Sequence, residues 1–371
     1  MKRPGYNENR GIVQTKFQRV TDEIVRRIGE DVWPAGSLIP SEMSLAEVFG
    51  VSLITVKRAV NDLIKLGYLN RHQGRRGTFV KENSPEVASR LIGVAIDDVR
   101  DRFGAEVLRG IEDYLWDRRF HTLICNGDRN FDKVKDYFHS LLEYNIAGVI
   151  FCPVIDNGYL ENNKEILDFL KINGLPNVLI DRYVPGTLAN YVGANHRESS
   201  RQITEYLIAA GHTRIVIAVG IGCTSMDERL QGYIDAFENA GLPVDEKLII
   251  RSNDNLLYRS PDDNELSLLK KQLKECGEFT CFYALNSRLL ENGVRVLRAE
   301  GYGVGTEISI ASHDEPYMDI QMNPAEIPHV VQPVYQMGWG AAQTLLTQIY
   351  SPDTPIIQKT LNSKFIKPSA N

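Results

Sequence analysis

Residues 39–80 read IPSEMSLAEVFGVSLITVKRAVNDLIKLGYLNRHQGRRGTFV, and the order of starts and stops within them decides the N-terminal fold. Ser41 is placed to cap a helix whose inner face carries Leu45, Ala46, Val48 and Phe49, and Gly50 ends it. After a break of two residues Ser52 caps a second helix, over 53–66, with Val56, Ala59, Val60, Leu63 and Ile64 at helical spacing. Upstream, residues 17–29 place Phe17, Val20, Ile24, Val25 and Ile28 on one face before Gly29 stops the helix. Downstream, Tyr68 to Arg71 and Thr78 to Val80 flank a Gly/Arg tip and predict a two-stranded hairpin. Three helices, the last two joined by a tight glycine turn and followed by a hairpin, make a helix-turn-helix with a wing.

Such a module presents the N-terminal end of its last helix to a major groove. Here Lys57 and Arg58 stand there beside Ser52, Ile54 and Thr55, and the hairpin tip supplies arginines for phosphates or a minor groove. The charge distribution agrees. Through Glu82 there are 14 basic and 9 acidic residues, which leaves 28 and 39 of the chain's totals of 42 and 48 for the remainder. The net charge of −6 therefore hides a basic N-terminal segment joined to an acidic body.

The segment from about 16 to 81 resembles the winged helix of GntR-type regulators in its P-S-E, its G-V-S-x-x-T-V-[KR]-x-A and its G-T-F-V wing. By position, the resemblance implies that Ser41 and Glu42 open a helix near the phosphates. It places Ser52, Thr55, Lys57 and Arg58 on or beside the recognition helix, and Gln73, Gly74 and Arg75 at the wing tip. The tip carries one residue more than the family's G-x-G, so either Arg75 or Arg76 takes the DNA contact. Leu53 and Ile54 stand where the family often has Arg and Thr, which shifts base reading toward apolar contact with a thymine methyl.

Residues 82–90 are polar, contain a proline and read as a linker between domains at 1–81 and 91–371. Beyond it short apolar runs recur: LIGVAI at 91–96, HTLIC at 121–125, AGVIF at 147–151, NVLI at 177–180, RIVIAV at 214–219, CFYAL at 281–285 and ISIAS at 308–312. Amphipathic helical stretches separate most of them. Runs apolar on both faces predict parallel strands under crossover helices, hence an α/β class with doubly wound sheets. About 280 residues suit two lobes, expected at 91–190 plus 329–350 and at 191–328 plus 351–371. Ligands of such sheets sit beyond the strands' carboxyl ends, where the sequence puts Asp97-Asp98, Asp181-Arg182, Asn286-Ser287 and His313-Asp314-Glu315.

This half resembles the periplasmic-binding-protein-like effector domain of LacI-type repressors through AGVIFCP, PNVLIDR, AAGHTRIVIAVG, DERLQGYIDAFENAGLP, YALNSRLLENGVRVLRAEGY and EISIASHDE. The resemblance implies a cleft for a sugar, or less often a purine, with Asp181, Arg229, Asn286 and Asp314 as polar contacts. Arg102 and Phe103 fall where the first lobe lines the cleft, and Gln332 lies in the return crossover. Carboxylates, arginine and asparagine suit paired hydroxyls, and an aromatic ring suits a sugar's C–H face. Ser287 replaces the family's usual Asp, and His313 before Asp314 is a further departure, placed to add a hydrogen bond to the ligand.

No run of about 18 apolar residues and no apolar leader segment occurs, so a cytoplasmic protein with no membrane partner is expected. The five cysteines show no metal spacing and are expected as free thiols. There is no G-x-S-x-G, no phosphate loop and no H-E-x-x-H, and GYGVG at 301–305 follows a helix and precedes a strand, the reverse of a dinucleotide fingerprint. No catalytic residue, cofactor or metal is therefore expected. The sequence points to a homodimeric repressor of sugar-utilisation genes, released from double-stranded operator DNA by a monosaccharide, with a pentose or deoxyhexose first in line. The alternatives are a sugar phosphate or purine as effector, or activation in place of repression.

Overall fold

A computed structural model describes residues 16–29, 32–65, 67–71, 76–81, 89–220, 222–251, 263–316 and 322–368. Helices α1 (Lys16–Gly29), α2 (Glu42–Phe49) and α3 (Leu53–Lys65) precede strands β1 (Leu69–Asn70) and β2 (Phe79–Val80), which pair antiparallel with Leu69 opposite Val80. The caps form as the sequence predicts: Ser41 Oγ accepts from the Ser44 amide at 3.1 Å, Gly50 turns left-handed at φ 62°, and Ser52 Oγ accepts from the Thr55 amide at 3.3 Å. Val20, Ile24, Leu45, Val56, Val60 and Leu63 close a small core. Val48 is the exception. It was expected inside and is 62% exposed, because the short α2 turns only Leu45 fully inward.

The remainder folds around two six-stranded sheets. The first runs in the order β13 (Gln358–Leu361), β7 (Asn190–Ala194), β6 (Asn177–Ile180), β5 (Gly148–Phe151), β3 (Leu91–Ile96), β4 (His121–Asn126) and is parallel throughout. The second runs β14 (Lys364–Ile366), β12 (His329–Val331), β11 (Ser309–Ser312), β10 (Cys281–Ala284), β8 (Ile215–Val219), β9 (Ile249–Arg251), and only the β12–β14 pair is antiparallel. Three stretches sit differently from the expected division. Residues 190–194 and 358–361 complete the first sheet, and 329–331 belongs to the second. Each is a strand of three to five residues, and its sheet is set by which edge is open for pairing, which local sequence does not encode.

Helices α4 (Arg102–Trp116), α5 (Phe131–Leu141), α6 (Tyr159–Ile172), α7 (His196–Ala209), α8 (Thr224–Asn239), α9 (Asp263–Glu275), α10 (Ser287–Ala299) and α11 (Val334–Tyr350) cover the sheets. Two crossings are unusually close. A Cβ on Gly338 of α11 would lie 2.1 Å from the Val107 carbonyl oxygen of α4, and one on Gly232 of α8 would lie 2.1 Å from the Arg197 carbonyl oxygen of α7. Each lobe thus locks a helix pair backbone to backbone. The five cysteines are buried free thiols, and among the described residues no helix is long and apolar enough to cross a membrane.

Candidate functional site

The cleft is assembled from strand ends. Arg102 and Phe103 open α4 after β3; Asp181 follows β6 at φ 67°; Arg229 faces inward from α8; Asn286 caps α10; Asp314 follows β11 and Gln332 follows β12. All seven line one cavity of about 1300 Å³ between the lobes. The sequence names residues spread over 230 positions, and the topology delivers them to one place because the strands that precede them run parallel within each sheet and end toward the cleft.

Arg229 is the hub of the second-lobe wall. Only 3% exposed, it donates from Nη1 to the Leu285 carbonyl at 2.6 Å and from Nε to His196 Nδ1 at 3.3 Å, and Nη1 lies 3.8 Å from Asp314 Oδ2. With Nδ1 accepting, the His196 proton sits on Nε2, which donates to the Asp181 carbonyl oxygen at 3.3 Å and lies 3.4 Å from Asp181 Oδ1. Burial alone would raise the Asp181 carboxyl, but His196, Arg182 and Arg229 outweigh it and hold it down at about 2. Asp181 stays ionised and anchors the chain Asp181, His196, Arg229.

Asp314 behaves in the opposite way. Burial outweighs Arg229 and Gln332 and pushes its carboxyl up to about 6, while its side chain keeps 28% exposure toward the cleft. Gln332 Nε2 donates to its Oδ1 at 2.6 Å. Asn286 spends its Oδ1 on the Leu289 amide at 2.8 Å, so its free capacity toward the cleft is the amide nitrogen. On the first-lobe wall Arg182 donates to Asp97 Oδ2 at 2.8 Å and to the Pro153 carbonyl at 2.8 Å, and Arg129 lies 3.9 Å from the same Asp97 oxygen. Arg102 bridges the mouth of the cleft to Glu315 at 2.5 Å.

Two histidines correct the sequence reading. His196 opens α7 directly after β7, the same strand-end position as the residues singled out, yet it was not among them. His313 turns away from the cleft: fully buried, its Nε2 lies 3.2 Å from Ser199 Oγ and its Nδ1 3.1 Å from the Tyr283 hydroxyl. Burial first, then Arg229 and His196, drive its pKa well below the usual histidine value, so it is a neutral core group and not a cleft donor.

On the winged helix, Lys57, Arg58 and Ile54 are exposed along one side of α3, Ile54 at 79%. Thr55 Oγ1 and Ser52 Oγ bond one another at 2.8 Å. Arg58 lies 4.8 Å over the Phe17 ring, and Glu42 is held by Arg71 at 2.5 Å, which steadies the start of α2 against the first wing strand. Arg76 is exposed beside β2; Gln73, Gly74 and Arg75 lie outside the described residues.

Residues 16–80 match the family model for bacterial regulatory proteins of the gntR family, and residues 204–367 match that for a periplasmic binding protein-like domain. The chain is 25% identical over 303 residues to the HTH-type transcriptional regulator DegA of Bacillus subtilis, covering 79% of this chain and 87% of that one. It is 24% identical over 338 residues to the arabinose metabolism transcriptional repressor of Geobacillus stearothermophilus, covering 90% and 91%. A LacI family transcriptional regulator from Enterococcus faecium, solved with bound ribose, superposes with a TM-score of 0.59 at 21% identity over 76% of this chain and all of that one. Fold and site together thus define a DNA-binding transcriptional regulator with a separate effector domain. More particularly, the chain joins a gntR-family winged helix-turn-helix to a periplasmic-binding-protein-like domain.

Proposed function

We propose that the chain represses sugar-utilisation genes as a homodimer in the cytoplasm and leaves its operator when a neutral monosaccharide, a pentose or deoxyhexose, fills the cleft. The observation that carries this reading is the convergence of Arg229, Asp314 and Gln332 on one wall opposite Arg102 and Phe103 on the other. A fixed guanidinium, a carboxylate and an amide recognise vicinal hydroxyls, and the ring supplies an apolar face. Asp181 is assigned a supporting role: it holds His196, which holds Arg229. Neutrality follows from charge matching, because Arg182 faces Asp97, Arg229 faces Asp314 and Arg102 faces Glu315. A phosphate would have to displace one of these carboxylates. The sugars in the names of the arabinose repressor and the ribose-bound regulator support a pentose.

On the winged helix, Ser41, Glu42, Ser52, Thr55, Lys57, Arg58 and the wing residues Gln73, Gly74, Arg75 and Arg76 are proposed to face DNA, with Lys57 and Arg58 supplying affinity and Ile54 meeting a thymine methyl. The deciding experiment is a thermal-shift screen of pentoses, hexoses, deoxyhexoses, sugar phosphates and purines. A ligand at 100 times its Kd stabilises by roughly 2.7 kcal/mol, well within detection. A shift with a neutral sugar supports the reading, and a shift with only a phosphate or purine overturns the neutral assignment.

A further inference from the structure

The winged helix does not merely hang from the segment that follows it. Arg118, just past the end of α4, is 3% exposed at its side chain and pairs with Asp22 of α1. Its guanidinium also donates to the Tyr114 carbonyl at 2.8 Å and lies 3.8 Å over the Tyr114 ring, so the cation is fixed by the lobe before α1 arrives. Beside it, Tyr68 packs against Tyr350 at a centroid distance of 4.9 Å, and Tyr350 meets Phe120 edge-on at 6.3 Å. Where α3 ends, Gly67 takes φ 76°, and a Cβ there would lie 3.4 Å from the Tyr350 carbonyl oxygen. The end of the recognition helix and the end of α11 are therefore backbone neighbours.

The same two helices start at the cleft. Arg102 and Phe103 open α4, Val334 and Tyr335 open α11, and all four line the cavity. The 17 residues of α11 span about 25 Å from cleft to winged helix. The pair cannot slide freely, because Gly110, midway along α4, and Gly338, in the cleft-side third of α11, bring the backbones into contact.

We propose that the far ends of α4 and α11 form a dedicated seat for this chain's own winged helix, through Asp22–Arg118, Tyr68–Tyr350 and Gly67, so that winged helix and first lobe move as one body. The signal from the cleft then reaches α3 through two crossed rods instead of through the connecting segment. The seat does not depend on which ligand fills the cleft, so its test needs neither effector nor operator.

The test is hydrogen exchange on the full chain, read by mass spectrometry in peptides covering 16–29, 53–70 and 114–120, with Asp22→Ala and Tyr68→Ala. Loss of a charge-assisted contact should quicken exchange about tenfold in 16–29 for Asp22→Ala. Alanine is the better helix former, so α1 itself is not weakened by that change. The telling readout is reciprocal: either substitution, made only on the winged helix, also deprotects 114–120 on the lobe. Calorimetry of the same variants should show the winged helix melting below the lobe, where the unmodified chain melts the two together. Unchanged exchange at 114–120 in both variants, or a separate winged-helix transition already present in the unmodified chain, overturns the seat.

Discussion

Arg229 carries the most weight at the residue scale, because three separate groups fix its geometry before any ligand enters. Arg229→Ala removes the hydroxyl donor and leaves His196 Nδ1 and the Leu285 carbonyl without their partner, so the thermal shift on sugar should vanish while operator binding is kept. Loss of operator binding with the sugar shift intact would refute the assignment. Asp314 sets a pH dependence. Its pKa of about 6 means that it is a carboxylate above that pH and a neutral acid below. Folded Asp314 holds its proton more tightly than an unfolded aspartate, so this group alone favours folding as pH falls toward 4. Sugar binding runs the other way: it is strongest above pH 6 and should weaken as the solution is acidified through it. An isothermal titration series that stays flat across that window would remove Asp314 as an ionised contact. That Arg229, Asn286 and Asp314 share one cleft was legible because Asn286 and Asp314 lie at strand ends and Arg229 lies in a family motif on α8. His196 carried the same positional signal but no family motif, and the burial of His313 was invisible, since a residue next to a cleft position can point either way.

At the element scale the two helix crossings are the firmest constraints. A methyl group on Gly338 collides with backbone that belongs to α4, and backbone cannot rotate out of the way. Gly338→Ala should therefore destabilise by about 1–3 kcal/mol in chemical denaturation despite the gain in helix propensity. Gly222→Ala, with no atom within 4 Å of the added methyl, is the control and should be nearly neutral. Equal stability of the two variants would mean that the crossing is looser than drawn. The elements of the winged helix were readable almost to the residue, since Ser41, Gly50 and Ser52 act within one turn of themselves. Val48 was misplaced because periodicity gives a face, while the extent of burial on that face depends on what else arrives to cover it.

For the whole molecule, the cavity of about 1300 Å³ exceeds the roughly 300–1000 Å³ of a filled small-molecule site, which leaves room for the lobes to close on a ligand. Closure on a sugar would bring Phe103 and Arg102 toward Arg229 and Asp314. Small-angle scattering should then record a smaller radius of gyration with a saturating sugar that shifts the melting temperature, and an unchanged radius would exclude closure as the response. Glu315→Gln, which removes the bridge to Arg102 at the cleft mouth, should change the sugar-free radius and leave the winged helix folded.

The sequence by itself determined the winged helix, the α/β class and seven of the twelve strands described in the two sheets, because caps, helical periodicity and apolar runs act over a few residues. Tertiary structure decided the rest. It assigned 190–194 and 358–361 to the first sheet and 329–331 to the second, linked Asp181 to Arg229 through His196, and seated α3 on the end of α11. Each of these depends on groups far apart in sequence meeting within a few ångströms, and no local pattern records where a distant partner will stand.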